Sequence, residues 1–279
     1  MKIGVVGLGA MGSGIAQLAV EAGFETVGRE VDAARGEAAR ERIAHFITRK
    51  VEKGQLEKGA RDAAVARLSV TTELAELADC DVVIEAAFED LAVKHELFRA
   101  LEAVVRDDTI LATNTSALSV TEIAAALDRP EQAVGMHFFN PAPLMPLVEI
   151  VRAERTADHV FEIAFDLGAK LGKTPIRCTD TPGFVVNRVL IPLLNDCVRV
   201  LDEAGVTPED LDAGMKYGAG WPMGPCALLD LVGADVHVHA SEALYEKLRE
   251  PRMAPPPRLV RMLQAGKLGR KTGEGFYRY

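Results

Sequence analysis

The feature that most restricts this chain is the turn Gly7-Leu8-Gly9-Ala10-Met11-Gly12, which follows the apolar run Lys2-Ile3-Gly4-Val5-Val6. That run reads as a short buried strand, and residues 11–22, closed by Gly23, read as a helix. A second strand follows near Thr26-Val27, so the start of the chain reads as one βαβ unit. Each glycine has its own duty. Gly7 permits the tight turn, Gly9 lets a pyrophosphate approach the backbone, and Gly12 lets helix and strand pack closely. The amides at the helix start, at Ala10 and Met11, are placed to bind phosphate. Glu30 lies eighteen residues after Gly12, where an acid accepts hydrogen bonds from the adenosine ribose of NAD. Glycine-rich turns are common. The strand, the helix and the acid around this one raise it from a plain βα turn to a dinucleotide site.

The rest of the chain extends the same architecture. Residues 31–68 are too long for one crossover helix and read as two, turning near Lys53-Gly54. Residues 81–85, 109–113 and 133–137 read as further buried strands, with helical patterns at 91–105 and 120–127 between them. Such alternation implies a parallel, doubly wound sheet. Strands at 147–151 and 174–177 flank a helix at 157–171. After Asp180-Thr181-Pro182-Gly183 the alternation ends. A helix over 184–203 is followed by one opened by Thr207-Pro208-Glu209-Asp210, with a capping threonine and a proline at the first helical position. Helical pattern continues to Gln264. The expected fold is α/β: a Rossmann-type domain over residues 1–182 with a helical-pair insertion, then a smaller all-helical domain over 183–279.

Bulk properties exclude several classes. The net charge of −9 opposes a nucleic-acid partner, whose binding face is usually basic. No apolar stretch reaches membrane-spanning length, and the run after Met1-Lys2 is too broken by glycine for a signal peptide. The four cysteines form no C-x-x-C pair and have no metal-ligand spacing with histidine. Reduced thiols in a cytoplasmic protein without a metal are expected.

A dinucleotide site names a cofactor and leaves the reaction open. Oxidising a secondary alcohol needs a hydride acceptor and a base for the hydroxyl proton. Histidine suits the second role, because its ordinary pKa of about 6.5 lies near working pH. Of the six histidines, His45, His95 and His159 belong to helical patterns, and His237 and His239 to the helical C-terminal part. His137 differs: it ends a predicted strand in His137-Phe138-Phe139-Asn140-Pro141, at the edge where open α/β sheets bind ligands. From the residues alone it is either a base or a core histidine held by backbone.

The stretch Gly135-Met136-His137-Phe138-Phe139-Asn140-Pro141-Ala142-Pro143 does not stand alone. Asn114-Thr115-Ser116, Asp180-Thr181-Pro182-Gly183-Phe184-Val185-Val186-Asn187-Arg188, Ala219-Gly220-Trp221-Pro222-Met223-Gly224-Pro225 and Gly269-Arg270-Lys271-Thr272-Gly273-Glu274-Gly275-Phe276-Tyr277 accompany it. Together, in this order, these motifs resemble the L-3-hydroxyacyl-CoA dehydrogenase family in its short bacterial form, from residue 3 to residue 279. The resemblance implies NAD as cofactor and reversible oxidation of an L-3-hydroxyacyl-CoA to the 3-ketoacyl-CoA. It also implies an active site in the cleft between the two domains, and a homodimer made by the helical one. Within the site it implies His137 as general base and Glu149, twelve residues on, as the carboxylate that holds and polarises it. Chemistry agrees, since a carboxylate on a neighbouring strand can accept the far imidazole N–H and stabilise the charged ring. Ser116 and Asn187 are implied to bind the substrate oxygen, and Glu89 and Asn114 to belong with the cofactor. Read without the resemblance, Glu149 is an edge-strand charge, Ser116 a helix N-cap and Asn187 a polar contact at a helix start.

Coenzyme A is anionic, so a local basic patch is expected. Residues 40–67 hold eight Lys and Arg, including Lys50 and Lys53, against four acids. The resemblance implies that this helical pair covers the CoA tail. Gly28-Arg29-Glu30 departs from the family pattern by setting an arginine beside the ribose acid. Strand alternation turns the two side chains to opposite faces. Two rivals remain at this point: a related dehydrogenase of a free hydroxyacid or sugar acid, as in the gulonate dehydrogenase and lambda-crystallin branch, and a catalytically silent dinucleotide-binding protein.

Overall fold

The structure, a computed structural model, describes every residue from Met1 to Tyr279 and divides into two compact units, Met1–Thr181 and Pro182–Tyr279. The first unit runs β1 (Lys2–Val6), α1 (Ala10–Glu21), β2 (Glu25–Arg29), α2 (Ala33–Glu52), α3 (Lys58–Ala66), β3 (Leu68–Thr71), β4 (Val82–Glu85) and α4 (Leu91–Glu102). It continues through β5 (Ile110–Thr113), α5 (Val120–Ala124), β6 (Ala133–Phe138), β7 (Leu147–Arg152), α6 (Asp158–Lys170) and β8 (Thr174–Thr179). The eight strands form one sheet in the order β3-β2-β1-β4-β5-β6-β7-β8.

Both faces of the sheet are covered, which is why the strands read as continuous apolar runs. In β4, Val82 and Ile84 join a core with Ile15, Ile43 and Ile47 of α1 and α2, while Val83 joins Phe98 and Leu101 of α4. Side-chain caps start three of these helices. Asp32 accepts the amide of Arg35, Asp90 that of Val93, and Ser119 that of Glu122. The expected capping by Ser116 is therefore corrected: Ser119 caps α5.

Two features differ from the expected sheet. β7 runs antiparallel to β6, whereas every other pairing is parallel. Only eight residues separate these strands, too few for the crossover of about a dozen that a parallel pair requires. Residues 68–71 form β3, because they pair with β2; the sequence reading ends the helical pair at Leu68 and places no strand here. A four-residue strand is too short to show a period of its own.

The second unit is helical: α7 (Val186–Ala204), α8 (Pro208–Ala213), α9 (Pro225–Val232), α10 (Ala234–Leu248) and α11 (Pro257–Gln264). Leu194, Val198, Leu229, Val238 and Leu259 make its core. Polar contacts tie the elements together. Asn195 on α7 accepts from His237 on α10 and donates to the backbone of residues 252–254. Asp230 accepts the amides of Phe276 and Tyr277 and so fixes the chain end.

Candidate active site

Because β1, β4, β5 and β6 are parallel, their carboxyl ends lie on one edge of the sheet. That edge collects the glycine turn, residues 86–89, Asn114-Thr115-Ser116 and His137, which are far apart in sequence.

The turn fits a dinucleotide. Gly7 has φ +86°, and a Cβ there would lie 2.8 Å from the Ala86 carbonyl; a Cβ on Gly12 would lie 1.8 Å from the Gly7 carbonyl. Only glycine permits either approach. A Cβ on Gly9 would meet nothing within 4 Å, so open space stands above the turn. Gly9 provides no side-chain cap to α1, which leaves the first-turn amides to an outside acceptor. Glu30 accepts the Leu8 amide at 2.9 Å and the Val31 amide at 2.8 Å, which places its carboxylate against the turn. Arg29 is turned elsewhere, donating from Nε to the Thr72 carbonyl at 3.1 Å.

The next strand ends build a polar cluster that sequence reasoning missed. Glu85 and Lys94 are both buried and pair at 2.6 Å; Glu85 also accepts from Thr113 at 2.7 Å. A carboxylate closing the apolar run Val82-Val83-Ile84 was the available signal, since buried charge requires a partner. Lys94 reaches Glu89 at 3.2 Å. Glu89 in turn accepts the Thr115 hydroxyl at 2.6 Å and the amides of Ser116 at 2.9 Å and Ala117 at 3.2 Å. Burial works to raise the Glu89 carboxyl, but the Thr115 hydrogen bond, the Lys94 charge and the Ser116 amide outweigh it and hold it below the usual range. Glu89 thus fixes the turn that presents the exposed Ser116.

Antiparallel register sets His137 of β6 directly opposite Glu149 of β7. The His137 Nδ1 lies 2.6 Å from Glu149 Oε2, with Glu149 wholly buried. Asn114 accepts the Phe138 amide at 2.9 Å, so its side-chain oxygen steadies the histidine strand. Beyond β6, Lys173 donates to the carbonyls of Ala142 at 2.6 Å and Met145 at 2.9 Å, bolting down the loop that carries Asn140-Pro141. Burial, aided by Lys50, depresses its amine.

The fold brings His137 to Glu149, and Glu89 to the Ser116 turn. Asn187 stands in the first turn of α7, in the second unit. Lys50 is engaged with Glu21 at 2.6 Å, whereas Lys53 is exposed at the end of α2. No group of histidine, cysteine or acid side chains is arranged to hold a metal ion, and no helix is long and apolar enough to cross a membrane.

Comparison with known proteins agrees with this arrangement. The profile of the 3-hydroxyacyl-CoA dehydrogenase NAD binding domain matches residues 2–181, and that of the family's C-terminal domain matches residues 183–279. A probable 3-hydroxybutyryl-CoA dehydrogenase of Deinococcus radiodurans is 43% identical over 279 residues, covering 100% of both chains. The human mitochondrial hydroxyacyl-coenzyme A dehydrogenase is 39% identical, across 99% of this chain and 90% of its own. The crystal structure of (S)-3-hydroxybutyryl-CoA dehydrogenase from Ralstonia eutropha superposes with a TM-score of 0.96 at 38% identity, covering 100% of this chain and 98% of that one. With both halves matched and the nucleotide turn, strand-end histidine and helical unit in family order, the chain belongs to the 3-hydroxyacyl-CoA dehydrogenase family.

Proposed function

We infer that this chain is an NAD-dependent dehydrogenase that interconverts L-3-hydroxyacyl-CoA and 3-ketoacyl-CoA. The observation that carries the chemistry is the 2.6 Å contact between His137 and Glu149 at the sheet edge that also holds the glycine turn. NAD, held by the amides of Ala10 and Met11 and by Glu30, supplies the hydride acceptor when bound. His137 Nδ1–H donates to Glu149, which makes Nε2 the basic nitrogen that receives the substrate hydroxyl proton. As the ring takes that proton, the buried carboxylate stabilises its charge. Ser116, held by Glu89, and Asn187 supply hydrogen bonds to the oxygen whose charge changes during the reaction. Glu89 also lines the nicotinamide ribose. Lys53 attracts the CoA phosphates, with Lys50 beside it. The chain acts as a homodimer through its second unit, where Val189, Leu231, Val232 and Val236 are exposed; sedimentation measures this.

The test follows NADH consumption with acetoacetyl-CoA, longer 3-ketoacyl-CoAs and free acetoacetate. Turnover with the CoA esters alone is expected. A preference for the free acid would transfer the chain to the hydroxyacid branch, and no turnover at all would leave a binding protein.

A further inference from the structure

Arg29 was the cation that the sequence set beside the ribose acid, and the structure turns it toward Thr72. Another cation takes up a place at the nucleotide turn. Arg42, on α2 and thirty-four residues from Leu8, donates from Nη2 to the Leu8 carbonyl at 3.0 Å and to the Ser13 hydroxyl at 2.7 Å. The Ser13 hydroxyl donates to the same carbonyl at 2.7 Å, closing a three-membered polar junction under the turn. All of Arg42's acceptors are neutral, and no carboxylate forms an ion pair with it, unlike Arg40, which is matched to Glu37, and Lys50, which is matched to Glu21. Arg42 is exposed as a residue, its guanidinium contacts are half-buried, and its charge is unneutralised. It is anchored one residue from Gly9, above which space is open, and beside the uncapped start of α1. Glu30 holds the amide on the other side of the same Leu8 residue, so an acid and a base grip the turn together.

We propose that Arg42 is a cofactor-binding residue whose charge attracts the pyrophosphate of the dinucleotide at the glycine turn. The inference rests on the reading of that turn as the NAD site. A docked, planar cation loses less freedom on binding a phosphate than a free side chain does, and nearby amides add to its pull. Glu30 then selects at the ribose while Arg42 acts on the phosphates. Phosphate is also present in the acyl-CoA, and the two sources are separable because NADH binding is measured without substrate.

The experiment titrates NADH by fluorescence against wild type, Arg42→Gln and Arg42→Lys, with ADP-ribose and adenosine as competitors. Arg42→Gln keeps a shorter polar side chain and removes the charge; Arg42→Lys keeps the charge. NADH and ADP-ribose are expected to weaken about three- to tenfold in Arg42→Gln, the scale of one screened charge contact, with a shallower salt dependence. Arg42→Lys is expected to retain most of the affinity, and adenosine to bind all three alike. Wild-type affinity for NADH in Arg42→Gln would overturn the proposal. So would an equal loss for adenosine, which would make Arg42 only a brace for the turn. A rise in the KM of acetoacetyl-CoA without a change in NADH binding would assign the charge to the substrate instead. Failure of wild type to bind NADH would remove the cofactor reading itself, together with this inference.

Discussion

Replacing Glu149 with glutamine tests the proposed mechanism most directly. The substitution keeps the shape and an oxygen able to accept from His137, and it removes one negative charge from a wholly buried position. The polar atoms stand 2.6 Å apart. Each charge is delocalised over its group, so the centres of charge lie about 4 Å apart, where opposite unit charges attract by about 4 kcal/mol at an effective dielectric near 20. That attraction acts only once the ring has taken the proton, so its loss falls on the transition state and not on substrate binding. At 1.36 kcal/mol per decade the ceiling is about a thousandfold, and the retained hydrogen bond reduces it to between about a hundredfold and a thousandfold in kcat. The assay is steady-state oxidation of L-3-hydroxybutyryl-CoA at saturating NAD, the direction in which His137 takes the proton, paired with an NADH titration to show that the cofactor site is intact. His137→Gln is expected to lose at least as much. Turnover within tenfold of wild type for either variant, with unchanged NADH binding, would refute the assignment of base and charge partner.

Other consequences can be measured alongside. Glu30 lies against the glycine turn while Arg29 is held by Thr72, so NADH should exceed NADPH by at least about tenfold in kcat/KM, and Glu30→Ala should shrink that ratio; a wild-type preference for NADPH would show that the ribose acid is misassigned. Lys53 is exposed and lacks the acid that engages Lys50, so Lys53→Glu should raise the KM of acetoacetyl-CoA severalfold, more at low salt, and leave a substrate mimic without the nucleotide unaffected; an equal effect on both would sink the CoA assignment. His237, buried in the second unit, is pushed down to about 4 by burial. Its folded value lies below its unfolded one, so the unfolded chain binds the proton first and stability falls as the pH drops from about 6.5 through 4, by about 3 kcal/mol from this group. His237→Gln, which keeps a donor for Asn195 and cannot charge in that range, should flatten this part of the acid limb in urea melts; an unchanged slope would refute the account.

The sequence by itself determined the features that reside in short contiguous segments. The strand, glycine turn and helix of residues 2–22 are legible because each glycine answers a local geometric demand, and the change from alternating elements to helix near residue 183 is legible because hydrophobic period is a local property. The tertiary structure decided what depends on pairing across distance. The eight-residue connection excludes a parallel pairing of β6 with β7, but only the register of the folded pair sets Glu149 opposite His137 rather than at an exposed edge. β3 exists only because β2 supplies its hydrogen bonds. The buried Glu85–Lys94 pair, the grip of Glu89 on the Ser116 turn and the reach of Arg42 to Leu8 each join different elements. The same is true of the Asn195–His237 contact, which makes His237 the buried structural histidine that His137 was weighed as. In every such case a polar group accepts burial or a fixed pose only because a partner distant in sequence satisfies it, and sequence spacing carries no record of that partner until the chain has folded.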